Sequence, residues 1–111
     1  MGYTGSRMVR VIVSYPNQPG SRFDLDYYLN KHMPLVVEKL GPFGLTAASV
    51  DQGVAGGAPG SPAKYQIQAH LNFPSMEQMQ AGMGAAAASL MADIPNFTDV
   101  RPDLQINQVI R

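Results

Sequence analysis

The sequence predicts an α+β domain in which two helices cover one face of a four-stranded antiparallel sheet. The apolar pattern follows the order strand, helix, strand, strand, helix, strand, which is the split βαβ arrangement. The chain has 111 residues, enough for one hydrophobic core and too few for two domains. We therefore expect a single domain over residues 8–111. Residues 1–7 are expected to form a disordered N-terminal extension.

The first strand is predicted over Met8–Tyr15, a run rich in β-branched residues. Its side chains alternate between an apolar face and a mixed face. The apolar face carries Val9, Val11, Val13 and Tyr15, and the mixed face carries Arg10, Ile12 and Ser14. The loop Pro16–Gly20 ends this strand, and Asp24 is the predicted N-cap of the helix that follows.

The first helix has a histidine within an otherwise apolar stripe. At three- and four-residue steps, one face of this helix carries Leu25, Tyr28, Leu29, His32 and Val36. Pro34 removes a backbone donor and crowds the carbonyl of Asn30, so the helix is expected to kink just after His32. The stretch Gly41–Gly44 is the predicted end of the helix.

The second half of the chain repeats the pattern with two strands before a helix and one after it. A weak strand over Leu45–Gln52 leads into Gly53–Pro62, whose composition predicts an exposed, mobile connection. The clearest strand is Lys64–Phe73. One of its faces is predicted to carry Tyr65, Ile67, Ala69, Leu71 and Phe73, and the other Gln66, Gln68, His70 and Asn72.

The second helix begins after Ser75, which has capping-box spacing to Gln78, and ends at Pro95. Its apolar stripe is predicted to be Met76, Met79, Met83, Ala87, Leu90 and Ile94. Gly82 and Gly84 make the helix thin, so that it can approach the sheet closely or leave space beside it. In the last strand, Leu104, Ile106 and Ile110 alternate with Gln105 and Asn107.

The composition excludes several classes of function. Eight basic and eight acidic residues cancel without forming a block, so neither nucleic acid nor a membrane surface is an expected partner. The chain has no cysteine, its two histidines are predicted on opposite faces, and no phosphate-binding glycine loop opens a helix. We therefore expect no metal and no cofactor. No signal peptide or membrane span is evident, so a cytoplasmic location is expected.

Three motifs resemble the EthD family of dimeric α/β-barrel proteins. They are Val-Ser-Tyr15-Pro, Phe23-x-x-x-Tyr27-Tyr28-x-x-x-His32-x-Pro34-Leu and Ile94-Pro-Asn-Phe-Thr98. The resemblance implies a ferredoxin-like fold whose sheets pair in a homodimer to close a barrel, with a pocket between sheet and helices. It also implies a functional role for His32. Relatives with this fold include cofactor-free monooxygenases, dehydratases, cyclases and decarboxylases, as well as haem enzymes, and the family name comes from ethyl tert-butyl ether degradation.

His32 and Tyr15 are the candidate catalytic residues because both are predicted to face the space between helix and sheet. An imidazole can act as general acid or base, and a phenol can orient an enol or carbonyl oxygen. From spacing alone, an equal alternative is that His32 donates to the carbonyl freed by Pro34. Tyr28, Met79 and Met83 are candidate substrate-binding residues, with core packing as their alternative role.

These residues support three hypotheses of function. The first is a homodimeric enzyme, a lyase, isomerase or cofactor-free monooxygenase, acting on a hydrophobic carbonyl or phenolic compound. The second is a non-catalytic carrier of such a compound, or an accessory protein to an oxygenase in a degradation pathway. The third is a dimer whose pocket is vestigial.

Overall fold

Four antiparallel strands form a single sheet in the order β2–β3–β1–β4 in the computed structural model, which describes residues 7–111. The strands are β1 (Val9–Pro16), β2 (Ala47–Gln52), β3 (Tyr65–Phe73) and β4 (Asp103–Gln108). The predicted α+β class and the predicted order of helices and strands along the chain are confirmed. The predicted N-terminal extension lies outside the described residues except for Arg7, whose Nη1 donates to the Val109 carbonyl oxygen.

The first helical segment is interrupted by a π-helical turn. It consists of α1 (Leu25–Tyr27), the π-helical turn (Tyr28–His32) and α2 (Met33–Leu40). The backbone N–H of Met33 donates to the carbonyl of Tyr28, five residues earlier. Pro34, which has no N–H, follows directly. In the segment predicted to kink just after His32, the structure has a π-helical turn that ends at His32, a feature that is frequent at functional sites.

The π turn changes which side chains of this segment are buried. Tyr28, His32 and Val36 are buried, as the predicted stripe requires. Leu29 is exposed, so its assignment to the buried stripe is wrong. A turn closed by five-residue hydrogen bonds contains more residues than an α-helical turn, so the four-residue step from Tyr28 to His32 stays on the buried face whereas the three-residue step from Leu29 to His32 does not.

The second long helix, α3 (Met76–Asp93), starts as predicted, with Ser75 Oγ accepting a hydrogen bond from the Gln78 backbone N–H at 3.2 Å. Its buried positions are Met79, Gly82, Ala86 and Leu90. Met76, placed on the buried stripe by the sequence, is exposed. A Cβ on Gly82 would lie 2.9 Å from Cβ of Phe43, so this glycine allows α3 to pack closely against the turn that follows α2.

One residue of β3 lies on the opposite face from the one predicted. The register pairs Tyr15 with Ile67 but Pro16 with Tyr65, so β3 has one extra residue at this step. The irregularity reverses the alternation locally. Tyr65 accordingly lies on the polar face, where its hydroxyl donates to Asp103 Oδ2 at 3.4 Å.

The remaining alternation of the sheet holds. The helix-facing side of the sheet forms the core with the helices, and the other face carries polar side chains. His70 lies on that polar face, as predicted, where its Nε2 is 2.8 Å from Asp51 Oδ2. The two histidines are thus on opposite sides of the sheet. No helix within residues 7–111 is long and apolar enough to cross a bilayer.

Candidate functional site

His32 is held rigidly within an aromatic cluster. It is the last residue of the π-helical turn and only 5% exposed. Its ring stacks on Tyr28, with centroids 5.5 Å apart and planes 17° from parallel, and it tilts against Phe97 at 4.6 Å. Tyr28 and Phe97 are also in contact with each other, with centroids 5.1 Å apart, so the three rings pack as one group.

Backbone contacts bring the two loops that flank the site together. The backbone N–H of Asp24 donates to the Phe97 carbonyl at 2.7 Å. The hydroxyl of Thr98 donates to the Arg22 carbonyl at 2.6 Å, and Phe23 forms an isolated β-bridge with Thr98. The start of α1 is therefore fixed against the segment that follows α3, and Phe97 is placed beside His32.

Asp93, the last residue of α3, pairs with His32. Nδ1 of His32 lies 2.9 Å from Oδ2 of Asp93. The other carboxylate oxygen, Oδ1, accepts from the Tyr27 hydroxyl at 2.7 Å and from Asn96 Nδ2 at 2.9 Å. An ionised carboxylate can only accept hydrogen bonds, so the network assigns the ring proton to Nδ1. That tautomer leaves the Nε2 lone pair free to accept a proton.

The hydrogen bonds keep Asp93 ionised. Burial raises the pKa of this carboxyl, but hydrogen bonds from His32, Asn96 and Tyr27 outweigh that effect and place its pKa below the ordinary value. The hydrogen bond between Tyr27 and Asp93 also raises the pKa of the Tyr27 phenol. Tyr27 therefore stays a neutral donor to the carboxylate.

The other ring nitrogen of His32 is available. Nε2 has no hydrogen-bond partner among residues 7–111. No fully buried side-chain nitrogen or oxygen in the described part of the chain lacks a partner, so Nε2 retains access to open space. His32 also lines a cavity between α3 and the sheet.

The cavity is small and apolar. Its volume is about 80 Å³, on a scale where one water takes roughly 10–15 Å³, so it holds on the order of five to eight non-hydrogen atoms. It is lined by Val13, Tyr15, His32, Val36, Leu71, Met83, Ala87, Leu90, Met91, Ile94, Pro102 and Leu104. The phenol and the imidazole are the only polar side-chain groups in this lining.

Tyr15 lines the same cavity as His32. It is 1% exposed, and its hydroxyl has no hydrogen-bond partner among the described residues. Its ring makes edge contacts with Phe23, Tyr28 and Phe97 at 5.3–5.9 Å. Burial, and secondarily the neighbouring Tyr28, raise the pKa of this phenol strongly. Tyr15 is therefore a neutral hydrogen-bond donor rather than a base.

The structure brings together three of the five candidate site residues. His32, Tyr15 and Met83 line one cavity. Tyr28 does not line this cavity, but its ring stacks on the imidazole of His32. Burial raises the pKa of the Tyr28 phenol. Met79 is buried in the core and borders a neighbouring groove. The functional roles of all five residues stay predictions. The alternative role of His32, donation to the carbonyl freed by Pro34, is not observed, because Nδ1 is paired with Asp93.

The sequence patterns did not indicate that Asp93 pairs with His32, or that Tyr27 and Asn96 donate hydrogen bonds to Asp93. His32 and Asp93 are 61 positions apart, a separation that no local pattern connects. One signal was present: a carboxylate in the last turn of a helix lies at the negative end of the helix dipole, where it is unfavourable without a donor. Within the described residues, no group of three or more His, Cys, Asp or Glu side chains is arranged to hold a metal.

Comparison with protein families identifies one match, to the EthD domain, over residues 21–101. That range includes the whole hydrogen-bond network from Tyr27 to Asn96. Comparison with curated proteins gives no significant match.

Solved structures with the same fold include two EthD proteins. An EthD-like protein from Ralstonia eutropha JMP134 is 37% identical, with 96% of this chain and 95% of that chain covered and a TM-score of 0.87. An EthD family protein from Bacillus halodurans C-125 is 22% identical, with 93% and 99% covered and a TM-score of 0.70. A dimeric protein of ferredoxin-like fold from Bacteroides fragilis is 11% identical, with 96% and 100% covered and a TM-score of 0.52.

Proposed function

Since the chain belongs to the EthD family, we propose that it is a small homodimeric enzyme performing cofactor-independent acid/base chemistry on a hydrophobic carbonyl or phenolic compound. One observation carries the proposal. His32 is oriented by Asp93 through Nδ1, and its ring lines an apolar cavity while Nε2 has no hydrogen-bond partner among residues 7–111. A histidine held in one tautomer by a carboxylate is the usual arrangement of a general base.

The chemistry begins with proton transfer from carbon to nitrogen. Nε2 of His32 takes a proton from the carbon next to a carbonyl group. The C–H electron pair becomes the new carbon–carbon double bond, and the carbonyl π pair moves onto oxygen. Tyr15, a neutral phenol, donates a hydrogen bond to this oxygen as negative charge develops. Asp93 stabilises the imidazolium that forms.

The same proton then completes one of several reactions. Its return to a different carbon gives isomerisation. Its transfer to a departing hydroxyl group gives water and a dehydrated product. Attack of the enolate carbon on a second carbonyl of the same molecule gives cyclisation, with the proton delivered to the new alkoxide.

The cavity limits what can enter. None of its lining residues carries a formal charge except His32 in its protonated form, so no cation is present to neutralise a carboxylate or phosphate. Asp93 adds negative charge next to His32, which further disfavours an anionic ligand. The proposed substrate therefore presents an uncharged oxygen group on a compact apolar body.

The polar face of the sheet supports the homodimer. Its side chains are ordered by contacts within the chain: Gln68 Nε2 donates to Ser14 Oγ at 3.0 Å, and Arg10 Nε donates to Asn72 Oδ1 at 2.8 Å. Ser14 is buried on this otherwise open face. Pairing of two such faces across a two-fold axis closes the barrel. Light scattering at micromolar concentration should give about 24 kDa, twice the chain mass of 12.0 kDa, whereas a monomer would contradict the homodimer.

A carrier function is the second candidate, because an apolar cavity with two hydrogen-bonding groups also suits a binding protein. The two are separated by incubating the protein with cyclohexanone in D₂O and following deuterium incorporation next to the carbonyl by mass spectrometry. The enzyme should accelerate exchange. His32→Gln should abolish the acceleration, and Lys31→Gln, an exposed neighbour, should retain it. Binding without any acceleration of exchange would favour the carrier.

A further inference from the structure

Two large apolar side chains of β4 are exposed on the side of the sheet that faces the helices. Leu104 pairs with Val13 and Ile106 with Val11, so both lie on the core side of the sheet. Leu104 is nevertheless 48% and Ile106 50% exposed. The helix layer therefore leaves the β4 edge of the core uncovered.

This uncovered edge forms a groove between α3 and β4. The groove has a volume of about 320 Å³ and is lined by Val11, Met79, Gln80, Met83, Leu104 and Ile106. Met83 and Leu104 also line the cavity that contains His32 and Tyr15. Cavity and groove are thus adjacent compartments that share two side chains, and Gln80 supplies the only polar side chain of the groove.

We propose that the groove holds the unbranched aliphatic tail of the substrate, whose oxygen group lies at His32 and Tyr15. The substrate class is then an uncharged medium-chain amphiphile, of which a 2-alkanone is the simplest member. This inference rests on the proposed function of the cavity. It adds that the cavity holds only the reactive end of a longer molecule.

Polarity sets the orientation of such a molecule. His32 and Tyr15 line the cavity end, and neither Nε2 of His32 nor the hydroxyl of Tyr15 has a hydrogen-bond partner among residues 7–111. A ligand oxygen placed there gains hydrogen bonds that the apolar groove does not offer, so the cavity end is its favoured position. The groove offers apolar surface with no charged side chain, which suits methylene groups.

The geometry also sets the length of the tail. Tyr15 at the cavity and Val11 in the groove are four residues apart on β1, which corresponds to about 13 Å at about 3.3 Å per residue. An extended chain with C–C bonds of about 1.5 Å advances about 1.3 Å per carbon. About ten carbons therefore reach from the cavity to the far end of the groove.

The test measures calorimetric dissociation constants for 2-butanone, 2-hexanone, 2-octanone and 2-decanone. Affinity should rise about twofold to fourfold for each added methylene. Ile106→Asn should lower the affinity for 2-decanone at least fivefold and leave that for 2-butanone within twofold. Ile110→Asn is the matched control, because Ile110 is exposed but does not line the groove.

Each other outcome overturns the inference in a recognisable way. Binding that does not depend on chain length would remove the tail site while leaving the proposed function of the cavity intact. A change in oligomeric mass for Ile106→Asn, without a change in ketone affinity, would assign the groove to a second copy of the chain. Failure of all four ketones and of cyclohexanone to bind would remove the tail site together with the proposed function.

Discussion

Nδ1 of His32 lies 2.9 Å from Oδ2 of Asp93, where the last residue of α3 meets the π-helical turn of the first helical segment. The pair connects two helices whose local sequence patterns give no sign that they meet, because the two residues are 61 positions apart. Both carboxylate oxygens of Asp93 accept hydrogen bonds, which hold the side chain in position and favour its ionised form. The free nitrogen of the ring is oriented as a consequence.

Replacing Asp93 by Asn should slow exchange in cyclohexanone about 100-fold or more. An amide can present its NH₂ group to Nδ1, which favours the tautomer with the proton on Nε2 and removes the base. Exchange rates in D₂O, with the fold checked by circular dichroism, measure the effect. Asp26→Asn, an exposed carboxylate in α1, is the control and should keep the full rate. Equal rates for wild type and Asp93→Asn would contradict a role for the pair.

Acid should weaken the contribution of Asp93 to stability. Its pKa is lowered in the folded chain, so hydrogen bonds from His32, Asn96 and Tyr27 stabilise the fold fully above the ordinary carboxyl pKa near 4. This stabilisation is lost as the pH falls through the lower folded value. Urea unfolding should show Asp93→Asn to be less stable than wild type at pH 6, with the difference shrinking below about pH 4. A difference that stays constant down to pH 2.5 would refute this origin.

Tyr15→Phe should separate function from stability. The hydroxyl has no partner among the described residues, so its removal should change the free energy of unfolding by less than about 1 kcal/mol. Loss of a donor to the developing oxyanion should slow exchange about 100-fold. Tyr65→Phe, on the other face of the sheet, serves as the matched variant with normal exchange. A large loss of stability in Tyr15→Phe would show a structural role instead.

Two glycines of α3 should respond oppositely to alanine. A Cβ on Gly82 would lie 2.9 Å from Phe43 Cβ and 3.3 Å from Leu40 Cδ2, whereas one on Gly84 would meet nothing within 4 Å. Gly82→Ala should therefore destabilise the protein by about 1–3 kcal/mol through overpacking. Gly84→Ala should stabilise it by about 0.5–1 kcal/mol, because alanine is the better helix former. Chemical denaturation measures both, and a stabilised Gly82→Ala would mean that the helices are less closely packed.

The element order was predictable because each element has its own local signal. Alternation in β1 and β3 and the capping pair Ser75 and Gln78 depend on neighbours a few residues away. Tyr65 and Leu29 were placed incorrectly because an extra residue in β3 and the π-helical turn shift the alternation or period that the prediction assumes. The extra residue in β3 leaves no clear mark in the sequence, whereas Pro34 indicates an irregular helix without indicating that the irregularity is a π-helical turn.

The site was predictable only in part. His32 and Tyr15 stand out because polar groups in apolar stripes are conspicuous. Asp93 is conspicuous only as a carboxylate at the end of a helix, and its partnership with His32 depends on how two helices and two loops meet. Such a long-range contact follows from tertiary packing, which one sequence does not specify by pattern alone.

The most direct test of the account is the ¹⁵N NMR spectrum of the His32 side chain, with its imidazole in the neutral form, before and after addition of cyclohexanone. We expect the proton on Nδ1, facing Asp93, and an Nε2 resonance that shifts when cyclohexanone binds. Asp93→Asn should lose this tautomer preference. A proton on Nε2 in the wild type, or an Nε2 resonance unchanged by saturating cyclohexanone, would contradict the proposal that His32 is the base of this cavity.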